Sequence, residues 1–236
     1  MKPWNTSDYC VELPANPGWA LAEKALDRVW RFNFTTPGFC LLDVGPGVDA
    51  HTLRSWMVAL KEQLSAIAVR RGGQPFAYRS LGRFDQQDTT KFHLDGAPEQ
   101  SMLMLGYEPS RVRSRLFLAD YTQAAFDRGI TPLQFLQDFN PMYRRGEELL
   151  RDYTTQLPEP GEGHCRILLI NNSALPYSDA RQNALGVMHK AEMVNPTASE
   201  RRIVNSTMLV EGEEDQVARD QQAEFVSTDR ISPKVY

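Results

Sequence analysis

The sequence predicts a mainly β domain, a sandwich or barrel, with helices packed on its outside. Short apolar runs bounded by turn residues recur along the chain, as is typical of buried strands. Helical periodicity is strongest over residues 19–32 and 50–70 and in a stretch near 131–157. Strands and helices do not alternate regularly, and neither common glycine-rich phosphate loop is present, so a doubly wound α/β fold is not expected.

One strand between two helices is predicted for the N-terminal part. Residues 1–17 are rich in Pro and Asn and are expected to form a loosely structured arm. Apolar residues follow helical spacing over 19–32, and a short apolar run at 39–42, flanked by Gly and Pro, predicts a strand. Asp49 is expected to cap a long helix over residues 50–70. The apolar stripe of that helix consists of Leu53, Trp56, Met57, Leu60, Leu64 and Ile67.

The β-rich core is predicted to follow. A helical insert is expected over about residues 131–157, with Thr131 as its cap and a second helix from 142 to about 156. Residues 173–186 are expected to form a polar loop. The acidic residues 211–236 are expected to be surface structure, a lid helix or disorder. The predicted core strands are 76–83, 91–96, 101–107, 115–120, 165–172, 186–191 and 201–210.

Length and composition are those of one soluble globular domain. We expect residues 1–236 to form an arm (1–17), a helical buttress with the first strand (18–72), a core (73–210) and an acidic tail (211–236). A net charge of −4 and a pI near 5.6 argue against general nucleic-acid binding. No apolar run has membrane-spanning length, and the N-terminus lacks the apolar core of a signal peptide. The three widely spaced cysteines favour free thiols and a reducing cytoplasm.

A pair of metal-ligand residues is the main functional signal in the sequence. His93 and Asp95 stand two residues apart in an extended-looking run. Side chains at i and i+2 of a strand point the same way, so an imidazole nitrogen and a carboxylate oxygen converge. A second histidine would complete a two-His, one-carboxylate face, which is typical of non-haem Fe(II) oxygenases. The alternative is a strand edge with two solvated polar residues.

Three further histidines are candidates for the third ligand. His51 falls in the first turn of the long predicted helix and is expected to be solvated. His164 comes just before a predicted strand. His189 lies in a short apolar extended segment, where a buried structural histidine is equally expected. Position alone therefore leaves the choice open.

Two adjacent arginines mark the last predicted strand. If that strand alternates, Arg202, Val204 and Ser206 share one face and Arg201 lies on the other. A charge that faces a sandwich core is costly unless it is paired, so an inward arginine implies an anionic ligand or an internal acid. The alternative is an edge strand on which both arginines are solvated.

The order of His93-x-Asp95, His189 and Arg202 resembles that of the Fe(II)/2-oxoglutarate-dependent oxygenases. The resemblance implies their double-stranded β-helix, a cupin-like jelly roll with helices packed outside. The apolar strand at 38–42 and the long helix after it are similar to the elements that buttress this fold.

Two branches of that superfamily remain open. Arg201-Arg202-Ile203 is similar to the Arg-Arg-Ile of taurine-dioxygenase-like members. Asn171-Asn172-Ser173, however, stands where those members usually have Asp-Asn-Arg. A phytanoyl-CoA-hydroxylase-like branch is the alternative.

The resemblance also implies a site and a reaction. His93, Asp95 and His189 would bind Fe(II). Arg202, with Ser206 on the same face, would hold the far carboxylate of the co-substrate 2-oxoglutarate. With O2, such an enzyme releases succinate and CO2 and oxidises an unactivated C–H bond of a small molecule, by hydroxylation or else by desaturation or ring formation. Because Asp95 is present, the halogenase arrangement, in which a small residue replaces the acid, is not expected.

Three other functions stay open from the sequence. The first is a metal enzyme that uses His164 as third ligand, with Arg181 after it. The second is a cupin-like protein that binds a small anion without catalysis, and the third is a non-catalytic interaction protein that keeps the fold. Arg79, Arg83 and Lys91 are either a cationic lip for an anionic substrate or ordinary surface charges. The sequence predicts neither the substrate nor the oligomeric state.

Overall fold

Two β-sheets packed face to face form the centre of the protein. The computed structural model describes residues 4–12, 18–96, 100–138, 143–174, 185–213 and 216–232. The strands are β1 (Cys10–Glu12), β2 (Phe39–Pro46), β3 (Phe76–Asp85), β4 (Met102–Tyr107), β5 (Ser114–Ala119), β6 (Thr154–Gln156), β7 (His164–Asn171), β8 (Met188–Met193) and β9 (Ile203–Glu211). The helices are α1 (Thr6–Tyr9), α2 (Trp19–Val29), α3 (Ala50–Arg70), α4 (Tyr121–Phe126), α5 (Pro132–Asp138), α6 (Arg144–Leu149) and α7 (Gln216–Ser227).

The two sheets differ in size. The larger has six strands in the order β1-β2-β7-β4-β9-β3, and the smaller has three in the order β6-β5-β8. β1 and β2 pair in parallel, and the other described strand pairs are antiparallel. Residues 89–93 run beside β8, because Thr90 N–H donates to the Ala191 carbonyl at 2.8 Å and His93 and His189 exchange two backbone hydrogen bonds. This segment extends the smaller sheet towards the metal-ligand candidates.

Apolar side chains from both sheets meet in one cluster between them. Leu105 of β4, Leu168 of β7 and Leu118 of β5 belong to this inner cluster. Because side chains alternate along a strand, the neighbouring Met104 of β4 points to the other face, where it packs in a second cluster with Leu60 of α3. The larger sheet is therefore covered on both faces, and its central strands are buried on both sides, as the apolar run at 101–107 predicted.

Most predicted elements are confirmed. Helices α2 and α3 flank β2, and the Asp49 carboxylate accepts the Thr52 N–H at 2.7 Å in N-cap geometry. Six of the predicted core strands correspond to β3, β4, β5, β7, β8 and β9. The predicted strand at 91–96 forms only the bridge at His93. The class, mainly β with flanking helices, is confirmed.

The helix predicted from 142 to about 156 is confirmed only over its first part, α6, and its predicted end is wrong. Helix α6 ends at Leu149, a 3-10 turn covers Arg151–Tyr153, and the chain then becomes strand β6. Thr154 and Thr155 are β-branched and fit an extended backbone better than a helix. The edge of β5 supplies hydrogen-bond partners for them, with Phe117 opposite Gln156. A long-range pairing thus overrides the local helical pattern.

Two short helices were not predicted. Helix α1 and strand β1 lie where a loose arm was expected, and Tyr9 is buried against Phe39, with ring centroids 5.0 Å apart. Helix α4 follows β5 directly, and its N-cap is Asp120, whose carboxylate accepts the Gln123 N–H at 3.0 Å. Both helices are held by tertiary contacts more than by their own propensity, since helices this short are marginal in isolation.

The acidic C-terminal part contains a docked helix. Phe225 of α7 is buried in the cluster that covers the outer face of the larger sheet. The buried Arg54 of α3 donates to the carbonyls of Val226 at 3.2 and 3.0 Å and Thr228 at 3.0 Å, which ties the end of α7 to α3. The sequence left surface structure, a lid helix or disorder open for residues 211–236, and α7 corresponds to the first of these. The predicted loop at 173–186 lies largely outside the described residues.

The three cysteines are free thiols, as the sequence predicted. Burial raises the pKa of Cys40 to about 11 and that of Cys165 to about 12, so both thiols stay protonated near neutral pH and are poor nucleophiles. Within the described ranges, no helix is both long and apolar enough to cross a bilayer.

Candidate metal centre

His93, Asp95 and His189 form one group at the edge of the space between the sheets. Their potential ligand atoms all lie within 4.8 Å of one another. The Asp95 carboxylate oxygen Oδ1 is 3.3 Å from His93 Nε2 and 3.7 Å from His189 Nε2. The expected convergence of His93 and Asp95 is therefore confirmed. The structure brings His189, and neither His51 nor His164, to this pair.

The backbone bridge between residues 93 and 189 positions the two histidines. The residues lie opposite each other in an antiparallel pair and exchange both N–H to carbonyl hydrogen bonds at 3.1 Å. Directly paired residues project their side chains to the same side, and the two imidazole centroids are 4.2 Å apart. His93 Nδ1 lies 2.6 Å from the Lys91 carbonyl and donates to it. This contact keeps a proton on Nδ1, so Nε2 is the nitrogen that bonds the Asp95 carboxylate when it is protonated and that offers a lone pair to a metal when it is not.

Asn172 holds the backbone of Asp95 from the opposite side. Its Oδ1 accepts the Asp95 N–H at 2.9 Å, and its Nδ2 donates to the Asp95 carbonyl at 3.0 Å. Nδ2 also donates to Ser101 Oγ at 3.1 Å. The Asn172 side chain is 1% exposed, so this two-way bond is made away from competing water. These hydrogen bonds hold Asp95 in place, and Asp95 supplies the carboxylate of the group formed with His93 and His189.

Replacing Asn172 by alanine is expected to weaken metal binding without unfolding the protein. Loss of an outer partner of a metal ligand typically costs about 10- to 100-fold in metal affinity. The measurement is calorimetric titration of the apoprotein with Fe(II) or Co(II) in the absence of oxygen. Asn171→Ala is the matched control, because Asn171 is equally buried but donates to the Val29 carbonyl of α2. Equal losses of metal affinity in both variants would contradict the assigned role.

The protonation of the three groups follows from their surroundings. Burial lowers the pKa of His189 to about 4, so its ring is neutral near neutral pH. Burial also disfavours the charged form of His93, but hydrogen bonds to Asp95 and to the Lys91 carbonyl outweigh it and raise the pKa of His93. Burial alone would raise the pKa of Asp95, yet the bond from His93 and the nearby His189 bring it below its ordinary value. The apo group thus consists of a carboxylate, a neutral imidazole and a second imidazole that favours a proton.

The stability of the apoprotein is expected to fall on mild acidification because of His189. Below about pH 6.5 the unfolded chain binds a proton there, whereas the folded chain does so only near pH 4. At about 1.36 kcal/mol for each unit of pKa difference, the free energy of unfolding loses about 3 kcal/mol across this window. Urea unfolding at several pH values, compared with His189→Gln, measures this difference. An identical pH dependence in both proteins would contradict it.

The three side chains fit a divalent metal ion. Adjacent ligand atoms of an octahedral ion, each about 2.1 Å from the metal, lie about 3 Å apart, close to the two separations from Asp95 Oδ1. Three ligands on one face leave the remaining positions for water or substrates. One feature departs from the usual pattern: His189 Nδ1 is buried without a hydrogen-bond partner in the described part of the chain.

A large cavity opens at this group and runs between the sheets. Its volume is about 1010 Å³, which is room for more than one small molecule. All three candidate ligands line it, and Ser206 of β9 lies on its wall. Its inner wall is apolar, with Leu105, Leu116, Leu118, Leu168 and Val204. Apolar walls of this kind would exclude water from a molecule bound beside a metal at this group.

Arg202 is buried, as one alternative from the sequence required. It lies directly before β9 and is 4% exposed. Its Nε donates to Ser114 Oγ at 3.0 Å, Nη1 donates to Gln86 Oε1, and the guanidinium lies 4.9 Å from the centroid of the Tyr107 ring. These partners are neutral, and Arg202 forms no ion pair with any acid of the described ranges. Ser206, Val204 and Arg202 follow the predicted alternation, since Val204 and Ser206 line the cavity.

Arg202 lines a second cavity and is separated from the first by Tyr107. The second cavity has a volume of about 860 Å³, and Tyr107 and Leu116 line both. Tyr107 therefore lies between the cavity of the three candidate ligands and Arg202, and its ring stacks on the Arg202 guanidinium. Nothing in the pattern of the sequence predicted this separation.

The other candidate residues do not join the group of His93, Asp95 and His189, although Arg83 and Lys91 line the cavity beside it. His164 Nδ1 bonds the Asp43 carboxylate at 2.8 Å, and His51 is exposed on α3. Arg83 makes two hydrogen bonds to the Glu108 carboxylate, at 3.1 and 3.0 Å, so it is not a free cation of the lip. Lys91 lines the cavity with a half-exposed side chain near Glu147. Arg181 lies outside the described residues.

Asn172, Gln86 and Ser114 were not predicted to support the site. All three act through partners that are distant in sequence, so periodicity carries no signal for them. For Asn172 a weak signal existed, since a buried amide directly after an apolar strand needs hydrogen-bond partners. Gln86 and Ser114 resemble ordinary strand-end residues.

Comparison with known proteins does not assign the chain to a family. No protein-family model matches the sequence, and no curated protein matches it.

Proposed function

We propose that the protein is an Fe(II)- and 2-oxoglutarate-dependent oxygenase that oxidises an unactivated C–H bond of a small molecule. The observation that carries the proposal is the group of His93, Asp95 and His189 on the wall of a cavity that also borders Tyr107, the residue against which Arg202 lies. Two imidazoles and one carboxylate on one face of an ion form the ligand set typical of such oxygenases. The released products would be succinate and CO2.

The arrangement of the two sheets supports a double-stranded β-helix as the finer description of the fold. The antiparallel sheets enclose the cavity, and residues 89–93 add a further extended segment to the smaller one. In a jelly roll, the candidate ligands would lie at the open end, at the edge of the smaller sheet. Helices α2 and α3 would be the external buttress.

Each side chain has a separate role in this proposal. His93, Asp95 and His189 would hold Fe(II), which supplies the oxidising chemistry when 2-oxoglutarate and O2 are bound. The proton favoured at His93 would leave as the metal binds, because its Nε2 must offer a lone pair. Asn172 would keep Asp95 in place. The apolar wall around Leu118 and Leu168 would exclude water and so protect the reaction from side products.

Arg202 would be the anchor for the far carboxylate of 2-oxoglutarate. Its charge is buried and forms no ion pair within the described residues, which favours an anionic partner. To reach it from the metal, the co-substrate would extend along the cavity to the border at Tyr107. Ser206, on the wall of that cavity, would supply a hydroxyl to the bound co-substrate.

An anaerobic titration of the apoprotein with Fe(II) and 2-oxoglutarate tests the proposal. The expected result is the weak visible charge-transfer absorption of 2-oxoglutarate chelated to iron. Iron binding without that absorption would contradict the co-substrate. A cupin-like protein that binds a small anion without catalysis would then be the better description, because the buried charge of Arg202, which forms no ion pair in the described residues, supports anion binding with or without a metal reaction.

A further inference from the structure

The second cavity has a floor of positive charge. It lies at the end of the sandwich where β4 and β7 pair, with Tyr107 opposite Arg166 in register. Arg166 and Arg202 both line it, and each is 4% exposed. Leu168, two residues after Arg166, and Val204, two after Arg202, belong to the cluster between the sheets, so both arginines lie on that inner face.

Neither buried guanidinium forms an ion pair with an acid in the described part of the chain. Arg166 has one hydrogen bond there, from Nη1 to the Pro158 carbonyl at 2.5 Å. Arg202 is bonded to Ser114 and Gln86, whose side chains are neutral. Buried arginines are normally paired, because taking a cation out of water is costly. Two of them lining one cavity leave several N–H donors for a bound anion.

Two acids, Asp43 and Asp85, lie near these guanidinium groups but are bonded to other groups. Asp43 is opposite Arg166 in the pairing of β2 with β7, and its carboxylate accepts the Gly45 N–H at 3.0 Å and lies 2.8 Å from His164 Nδ1. The Asp85 carboxylate accepts the backbone N–H of Arg202 at 2.9 Å.

The other acids near this cavity are engaged or exposed. Glu108 accepts two hydrogen bonds from Arg83 and lies 3.6 Å from Arg54. At the rim, Glu159 pairs with Arg113 at 2.5 Å and Glu200 pairs with Arg111 at 3.4 Å, and Glu162 is exposed. The rim is therefore largely neutralised, whereas the floor is not. This distribution favours a small anion that enters head first.

We propose that the second cavity is a binding site for a small organic anion whose carboxylate or phosphate lies between Arg166 and Arg202. Ser114 and Tyr107 add polar groups beside the head. Val112 and Leu116 on the wall would contact an apolar body. The site is separate from the metal group and needs no metal, so the proposal goes beyond the proposed oxygenase function. Because the proposed oxygenase function uses the same arginine, an anion here would compete with a co-substrate anchored at Arg202.

The test uses the metal-free apoprotein and the arginine Nε–Hε signals in ¹H–¹⁵N NMR spectra. Sodium acetate and inorganic phosphate are titrated separately at constant ionic strength, with sodium chloride as the third arm. Saturable shifts of the Arg166 and Arg202 signals are expected with acetate or phosphate. The anion that binds more tightly, acetate or phosphate, shows whether the head group of the natural ligand is a carboxylate or a phosphate. Shifts that do not saturate, or that chloride reproduces, would mean that no such site exists.

Variants separate the site from general attraction to a basic surface. Arg166→Gln is expected to weaken binding about tenfold or more, since hydrogen bonds to a charged group contribute that much. Arg201→Gln is the matched control, because Arg201 is exposed at the same rim, and it is expected to leave binding unchanged. Undiminished binding in Arg166→Gln would overturn the proposal.

Arg166→Lys covers the case in which the glutamine variant does not fold. It keeps the charge but loses the planar pair of donors, so binding is expected to be weakened but retained. Binding to Arg166→Lys as tight as to the unaltered protein would also overturn the proposal. Because no metal is present in these experiments, failure of the iron titration and failure of this site are distinguishable.

Discussion

His189→Ala is expected to abolish the visible absorption of the complex with Fe(II) and 2-oxoglutarate. The variant removes one of the three groups that converge within 4.8 Å and leaves the other two in place. Metal affinity is expected to fall by more than about 100-fold, since even outer partners of a metal ligand contribute about 10- to 100-fold. The measurement is anaerobic titration with Fe(II), followed by absorption and by calorimetry.

His164→Ala is the control for this prediction. His164 is a histidine of intermediate exposure that also contacts a carboxylate, but its partner is Asp43 on β2. Its removal is expected to leave both metal affinity and absorption unchanged. If the absorption survives His189→Ala and is lost in His164→Ala, His189 is not the third ligand and His164 is favoured in its place. Circular dichroism of both variants establishes that the fold is retained.

Arg202→Gln is expected to weaken 2-oxoglutarate binding about 100-fold while leaving Fe(II) affinity unchanged. A charge-assisted bond to a carboxylate in a buried setting contributes about 1.5–3 kcal/mol, and glutamine removes the charge. The measurement is the concentration of 2-oxoglutarate that half-saturates the absorption of the iron complex. Arg201→Gln, the exposed neighbour on the other face, is expected to behave like the unaltered protein.

A co-substrate analogue tests whether the effect of Arg202→Gln is on the far carboxylate of 2-oxoglutarate. 2-Oxobutanoate keeps the keto acid that chelates iron but lacks the far carboxylate. Its weak binding is expected to be the same in Arg202→Gln and in the unaltered protein. If the variant weakens both compounds equally, Arg202 supports the structure of the cavity and is not the anchor.

Much of the fold was predictable because it depends on local patterns. The apolar stripe of α3 and the cap at Asp49 are encoded within a few residues, and the structure confirms both. The convergence of His93 and Asp95 follows from the period of two in an extended backbone, although the structure has only a single bridge there. The inward face of Arg202 follows from the same alternation. The helical pattern failed at Thr154–Gln156, because pairing with strand β5 makes this short segment a strand.

The sequence by itself determined that this chain forms buried strands with helices outside, and that one histidine and one carboxylate point the same way. Only the tertiary structure decided which histidine joins them. His189 meets His93 because β8 pairs with residues 89–93 in one register, and a shift by one residue would turn its ring to the other face. Three features depend on contacts between segments that are distant in the sequence: the register of β8, the hydrogen bonds of Asn172 to Asp95, and the burial of two arginines without an ion pair in the described residues. Such contacts produce no periodic pattern in the sequence.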